Sequence, residues 1–290
     1  MLSKPKALSL RLSWNNFSLD FSQKTYVMGI LNVTPDSFSD GSTYFDKSKA
    51  VDHALKMTDD GADIIDIGGE STRPGSEVVP LEEELRRTIP VIEEISKKIN
   101  IPLSIDTYKS EVALRALESG ASIVNDISGM RFDPEMPKVV SKYKIPVVLM
   151  HIKGRPKSMQ ENPVYEALIP EIMDYFTISL RLANKFGIPE DMIIIDPGIG
   201  FGKTSEHNLE IINNLDQFTT LEKPILIGPS RKAFIGKILG DAPARERLEG
   251  TAAAVAISIM NGANIVRVHD VKEMAKVVKV ADAIKREKII

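Results

Sequence analysis

Apolar and polar residues follow two rhythms along this chain. Short runs rich in Ile, Val and Leu are apolar at every position, and between them lie longer stretches whose apolar residues recur every three to four positions. The first pattern is that of strands buried on both faces, the second that of amphipathic helices. Two phrases mark the passage from one to the other. Gly-Ala-x-Ile followed by Ile or Val occurs at 61–65, 120–124 and 262–266, each time after an amphipathic stretch such as KSEVALRALES. The glycine supplies a left-handed helix stop, and the β-branched run after it reads as a buried strand. The second phrase places a proline at the head of an apolar run, in Ile101-Pro102-Leu103, Ile145-Pro146-Val147 and Lys223-Pro224-Ile225. Proline is tolerated at a strand's first residue because it need not donate to the ladder there.

These six runs, with Tyr26 to Leu31 and Met192 to Ile195, predict eight strands. Helices are predicted over roughly 49–60, 81–99, 110–119, 135–144, 164–186, 205–218, 231–239 and 245–261, with a last one after His269. Eight such units predict a (β/α)8 TIM barrel, although a doubly wound open sheet satisfies the same alternation. Ahead of Tyr26, the alternating LSLRLSW and FSLDF around Asn15-Asn16 predict a short N-terminal β-hairpin at about 7–22, plugging the barrel's bottom. No low-complexity linker divides the chain, so residues 1–290 are expected to form one domain.

Composition narrows the picture further. The 290 residues are 43% hydrophobic and 27% charged, ordinary for a globular protein, and the net charge of −3 argues against a general nucleic-acid binder. There is no cysteine, which excludes disulfides and thiolate chemistry. No apolar run approaches the length of a membrane span, and the N-terminus lacks a signal-peptide pattern, so a cytoplasmic enzyme or binding protein is expected.

In a barrel the active site lies where the strands finish. Here the runs finish in Asn32, Gly68-Gly69-Glu70, Asp106, Asn125-Asp126, His151, Asp196, Gly228-Pro229-Ser230-Arg231-Lys232 and Arg267-Val268-His269-Asp270. Any one Asn or Asp is as readily a helix cap, but eight polar ends converging on one mouth point to a small-molecule site. Asp106, Asn125 and Asp196 suit the N–H-rich edge of a pterin or guanine. Lys232 would donate to a ring carbonyl, and Arg267 with His269 would hold an anion. The loops holding Phe38 (VTPDSFSDG, 33–41) and Arg73 (STRPGS, 71–76) are expected to close over the site. One stretch, IDPGIGFGKT (195–204), resembles a phosphate-binding loop, yet Pro197 stands where that motif needs its first glycine. Asp196 is its expected substrate contact, with Thr204 or Ser205 capping the next helix.

Taken together, MGILNVTPDSFSDG (28–41), DIGGESTRPGS (66–76), SIDTYK (104–109), NDISG (125–129), MHIKGRPKSMQ (150–160), DPGIGFGKT (196–204), GPSRKAFIG (228–236), EGTAAA (249–254) and VRVHDV (266–271) resemble the dihydropteroate synthases, folate-pathway enzymes targeted by sulfonamides. The resemblance runs from Tyr26 to the C-terminus. It implies condensation of 6-hydroxymethyl-7,8-dihydropterin diphosphate with 4-aminobenzoate, giving 7,8-dihydropteroate and diphosphate, with Mg2+ as cofactor. On that reading Asp106, Asn125, Asp196 and Lys232 line the pterin pocket, and Asn32 helps hold the Mg2+ diphosphate, with Arg73, Arg267 and His269 on the anion. Phe38, Thr72, Arg73 and Pro74 frame aminobenzoate. Asp106, Asp196, Lys232, Arg267 and His269 carry the catalysis, an SN1-like displacement in which the electron-rich ring shares the positive charge. A homodimer is also implied. One position departs from the pattern: several members have Ser after the Ser-Arg-Lys triplet, where this chain has Ala233. Two other readings are compatible with a pterin-binding barrel, a methyltetrahydrofolate:corrinoid methyltransferase and a non-catalytic pterin-binding protein. The first has no diphosphate to hold, and the second no need of polar strand ends.

Overall fold

The apolar runs become strands that close on one another. In the computed structural model, which describes residues 11–34 and 47–289, a two-stranded antiparallel hairpin, β1 (Arg11–Trp14) and β2 (Phe17–Asp20), precedes the barrel. Strands and helices then alternate: β3 (Tyr26–Asn32), α1 (Lys47–Asp59), β4 (Ile64–Gly68), α2 (Leu81–Ile95), β5 (Leu103–Asp106), α3 (Ser110–Glu118), β6 (Ile123–Asp126), α4 (Met136–Tyr143) and β7 (Val147–Met150). They continue as α5 (Leu168–Lys185), β8 (Ile193–Asp196), α6 (Ser205–Asn213), β9 (Leu226–Ile227), α7 (Ala233–Ile238), α8 (Leu248–Met260), β10 (Ile265–Val268) and α9 (Val271–Arg286). The eight strands from β3 onward pair in parallel in the order β8-β7-β6-β5-β4-β3-β10-β9. The ring is completed by a parallel bridge between Ile195 and Ile225 and by the Ile195 N–H donating to Pro224 O at 2.9 Å. This is the expected (β/α)8 barrel, not an open sheet.

Both repeated phrases have a backbone explanation. Gly61, Gly120 and Gly262 sit at φ of +103°, +115° and +117°, conformations that a side chain would strain. The alanine after each sends its N–H back to a helix carbonyl five residues earlier, on Met57, Ala116 and Ser258, and is itself buried. Each phrase therefore ends a helix and aims the chain into the sheet. In the proline phrases the proline has no N–H to give, but its carbonyl accepts from the adjacent strand: Pro102 from Ile65 (3.2 Å), Pro146 from Val124 (3.1 Å) and Pro224 from Ile195 (2.9 Å).

The hairpin alternates as its sequence does, with Leu12, Trp14 and Leu19 buried beside the segments that enter β8 and β9. Residues 7–10 of the expected hairpin, and Phe38 with the rest of 35–46, lie outside the described residues. Several helices are shorter than their apolar periodicity suggests. Residues 164–167 do not join α5, and Leu215–Leu221 is a 3-10 segment separate from α6. Helix α7 starts at Ala233 because Arg231 is left-handed (φ +58°), its guanidinium engaging Asp270 at 3.0 and 2.5 Å.

The last helix is tied back to the first barrel strand through Asp282, which is 2% exposed and accepts from the N–H (2.6 Å) and hydroxyl (2.8 Å) of Thr25. Asp282→Ala leaves both buried donors unmatched, and a loss of about 2–3 kcal/mol is expected, since each unsatisfied buried group costs roughly 1–3 kcal/mol. Urea unfolding is the check: the midpoint drops with unchanged slope, and Asp282→Asn, which keeps an acceptor, drops it less.

Candidate functional site

At the C-terminal ends of four barrel strands, charged and polar side chains meet inside the ring. Asp66, in the middle of β4, has 0% exposure. Its Oδ2 accepts from Arg267 Nε of β10 at 2.6 Å and from Asn125 Nδ2 of β6 at 2.9 Å. The same guanidinium donates through Nη2 to Asp106 Oδ2, at the end of β5, at 2.7 Å. Burial opposes the charge on Arg267, but Asp66 and Asp106 more than offset it and hold the guanidinium protonated. Burial pushes the Asp106 carboxyl up, with Arg267 working against that rise and Asp66 adding to it. The second oxygens, Asp66 Oδ1 and Asp106 Oδ1, are buried and accept a hydrogen bond from no described residue. Buried acceptors in native structures are almost always paired, which sets these two oxygens apart from the rest of the group.

Beside this floor stands Asp196, at the end of β8 and 6% exposed, whose Oδ1 accepts from Gly198 N at 2.7 Å. Burial raises its carboxyl to about 6. Lys232, half-buried just before α7, holds its ammonium 4.3 Å from the centroid of the Phe201 ring. Burial and then Arg267 push Lys232 down to about 8, while Asp196 and Asp106 hold it up. His269 follows β10, with Nδ1 3.0 Å from Ser230 Oγ. Burial, helped by Arg267, lowers its imidazole to about 3, so the ring is neutral here. Arg267 and His269 thus bring one positive charge to the mouth rather than two, and that charge already faces two carboxylates.

The loop between β4 and α2 is fastened at its base. Lys109, after β5, reaches Glu70 Oε2 and Glu84 Oε2, each at 2.5 Å, and Val79 O at 2.7 Å. Glu70 also accepts from Tyr108 Oη (2.9 Å) and Val79 N (3.2 Å), so residues 71–78 span a closed base. Thr72 is partly exposed on this loop and Arg73 and Pro74 are exposed, while Gly75 N donates to Pro156 O, in the segment after β7, at 3.2 Å. Asn32, at the end of β3 and in register with Gly68, is partly exposed. Among the described residues no three His, Asp or Glu side chains converge as a metal site, and no helix is long and apolar enough to cross a membrane.

The family model described as pterin binding enzyme matches residues 28–269. A dihydropteroate synthase of Synechocystis sp. is 51% identical over 267 residues, covering 92% of each chain. The chain belongs to the dihydropteroate synthase family. A Clostridium difficile dihydropteroate synthase, solved in the presence of pteroic acid, matches with a TM-score of 0.87 at 46% identity, over 92% of this chain and 98% of that one. A Xanthomonas albilineans dihydropteroate synthase, solved with 4-aminobenzoic acid, matches with a TM-score of 0.89 at 40% identity, over 96% and 98%.

Membership of the dihydropteroate synthase family makes the chain a transferase and accounts for the polar strand ends. The structure gathers Asp106, Asn125 and Arg267 into one bonded group, with Asp196 and Lys232 acting on it through their charge. Thr72, Arg73 and Pro74 lie on the more exposed loop after β4, from which the Arg73 charge also acts on Lys232. Asp66 is the main residue that reading strand ends overlooked, because it lies two positions before its strand finishes. The available signal was a lone carboxylate between Ile65 and Ile67 in an otherwise apolar run.

Removing Asp66 takes one of two carboxylates from a buried guanidinium and leaves Asn125 Nδ2 without its acceptor, and breaking a buried pair costs about 3–5 kcal/mol. Asp66→Ala is therefore expected to lower thermal and urea stability by that amount. Asp66→Asn, which keeps an oxygen for Arg267 and Asn125, is expected to lose less than half as much.

Proposed function

We propose that the chain joins 6-hydroxymethyl-7,8-dihydropterin diphosphate to 4-aminobenzoate, giving 7,8-dihydropteroate and diphosphate. The observation that carries this reading is the unpartnered, buried Asp106 Oδ1 beside Asn125, within a mouth that also holds Asp196 and Lys232. A 2-amino-4-oxo pterin offers an edge of N–H donors for the carboxylates and Asn125, and a ring carbonyl for Lys232. The pteroic acid and 4-aminobenzoic acid in the two related structures support the same substrates.

In the proposed reaction the bond between the pterin methylene and the diphosphate oxygen breaks first, and its electron pair leaves with diphosphate. The electron-rich dihydropterin shares the positive charge left on the methylene, and ionised Asp196 and Asp106 favour that cation electrostatically. The aminobenzoate nitrogen then forms the new C–N bond and gives up its proton to diphosphate or water. Asn32, Arg73, Arg267 and a hydrogen bond from His269 would hold the anion. Mg2+ fits Asn32 without a carboxylate cage, because this hard cation is commonly held by one or two protein oxygens together with substrate phosphates and waters. When bound it supplies charge neutralisation on the leaving group. Phe38, Thr72, Arg73 and Pro74 would frame aminobenzoate. Ala233, exposed at the start of α7, has no hydroxyl for its carboxylate.

A second copy of this chain is the proposed cover for the outer face of α6 to α8, where Leu209, Ile238, Leu239, Ile257 and Met260 are exposed. Sedimentation at micromolar concentration is expected to give a dimer, and Ile257→Asp a monomer.

Product formation tests the function directly: purified protein with pterin diphosphate, aminobenzoate and Mg2+ is expected to release dihydropteroate, and Asp196→Ala to abolish pterin binding in a folded chain. The pH dependence has a definite sign. Asp196 and Asp106 have raised values and must ionise, so activity falls as pH drops through a limb well above the ordinary Asp value of 3.8. Lys232 must stay protonated, so activity also falls above about 8. A kcat/KM profile for the pterin diphosphate checks both limbs.

A further inference from the structure

The Gly-Lys-Thr that ends IDPGIGFGKT has no role in the reaction as proposed, yet its lysine is one of the most enclosed charged side chains in the barrel. Lys203 is 2% exposed. Its Nζ lies 2.9 Å from His151 Nδ1, 3.0 Å from Phe201 O and 3.5 Å from His151 O. An ammonium has three donors and no acceptor, and here it meets three acceptors from two segments, the residue after β7 and its own loop. The arrangement makes His151 Nδ1 an acceptor and so leaves the ring proton on Nε2. An ammonium is expensive to bury without an ionised partner at hydrogen-bond distance, which calls for a return from the residues it organises.

Those residues form one wall of the site. The loop packs backbone against backbone on the segment after β7: a Cβ on Gly198 would fall 2.0 Å from His151 O, and one on Gly202 2.4 Å from Lys153 O. Its other polar groups are also held, Gly200 O by Gln160 (2.7 Å), Gly200 N by Asn208 (2.7 Å) and Gly202 O by Tyr165 (2.7 Å). Phe201 O is the carbonyl that Lys203 holds. On the mouth side the Phe201 ring lies under the Lys232 ammonium, and a Cβ on Gly200 would sit 3.2 Å from Lys232 Cδ. Asp196 opens the same loop and accepts from Gly198 N.

We propose that Lys203 is a positioning residue for the pterin pocket: its ammonium ties the 198–202 loop to His151, so that Phe201, Asp196 and Lys232 are presented together to the pterin ring. This inference rests on the pterin reading above. Its charge matters as well as its bonds. Asp196 faces Lys232, Lys203 and Arg267, all of which favour the ionised carboxylate. Lys203 faces Asp196 with Lys232 and Lys153, and His151 faces Lys203, Arg131 and Lys153. Burial lowers Lys203 to about 7, with Asp196 opposing, so below that pH it carries its charge. Losing that charge raises the Asp196 carboxyl further and moves the acid limb to higher pH.

The test compares wild-type protein, Lys203→Met and Lys203→Gln by steady-state kinetics with the pterin diphosphate, aminobenzoate and Mg2+, after circular dichroism establishes folding. For Lys203→Met the expected loss in kcat/KM for the pterin diphosphate is about 10²-fold, the scale of a wall misplaced by about 1 Å. That loss lies in the pterin KM, with the aminobenzoate KM unchanged and the acid limb moved upward. Lys203→Gln restores donors without charge and is expected to recover much of the pterin KM while its acid limb stays high. A folded Lys203→Met with wild-type pterin KM and an unmoved limb overturns the inference, as does a loss confined to the aminobenzoate KM. If Lys203→Met does not fold, the limb of Lys203→Gln decides, and an unmoved limb there overturns it. A wild-type protein that binds no pterin diphosphate instead removes the functional reading, an outcome seen before any variant is measured.

Discussion

The contact between Asp66 and Arg267 is the one on which the rest of the mouth depends. A fully buried carboxylate and a mostly buried guanidinium are each costly to remove from water, and each offsets the other's cost. Their pairing draws Arg267 across the ring toward β4, and the same guanidinium then fixes Asp106. Asn125 is fixed in turn by donating to Asp66. Four strands that are not all neighbours, β4, β5, β6 and β10, are thereby joined through side chains as well as through the ladder. The geometry also decides which oxygens stay unpaired: one oxygen of each carboxylate is consumed, leaving Asp66 Oδ1 and Asp106 Oδ1 without a described partner. A group organised in this way is oriented before anything binds, so little ordering cost would fall on binding.

Much of the barrel was legible because its information is local. A glycine after an amphipathic stretch and a proline before an apolar run each specify a backbone event, and both recur at three places with the same hydrogen-bond outcome. Helix ends were less legible. The apolar periodicity of 231–239 continues through Arg231, but a long-range pairing with Asp270 holds that residue left-handed and delays the helix. Nothing within nine residues of Arg231 announces a partner 39 residues away.

The candidate site divides along the same line. Asp106, Asn125, Asp196 and Lys232 could be found from their places at strand ends, since a barrel delivers those positions to one mouth. Asp66 could not, because its function is to be a partner, and a partner is defined by what lies across the ring. Charge state was equally hidden. His269 stands two residues after Arg267 and reads as a second cation, yet burial beside that guanidinium leaves it neutral. The sequence reading set Arg267 together with His269 on an anion. The folded mouth keeps Arg267 charged by setting it between carboxylates, so any anion brought there would compete with Asp66 and Asp106 for that guanidinium or meet it on its remaining N–H groups.

The stretch IDPGIGFGKT shows why a motif has to be read through its hydrogen bonds. A phosphate loop works by leaving backbone N–H groups free to converge on an anion. Here three of those groups are committed. Gly198 N donates to Asp196, Gly200 N to Asn208 and Phe201 N to Gly198 O. At the start of α6, Thr204 and His207 cap each other reciprocally, so the expected cap is Thr204 and its box takes up two more donors. Pro197 contributes none. The lysine points into the protein toward His151. Identical residue types therefore serve opposite ends: glycine freedom is used to press backbone against backbone, and the lysine closes the loop instead of opening it to a ligand. The carboxylate of Asp196 opens this segment, held by Gly198 N in the turn that the glycines allow.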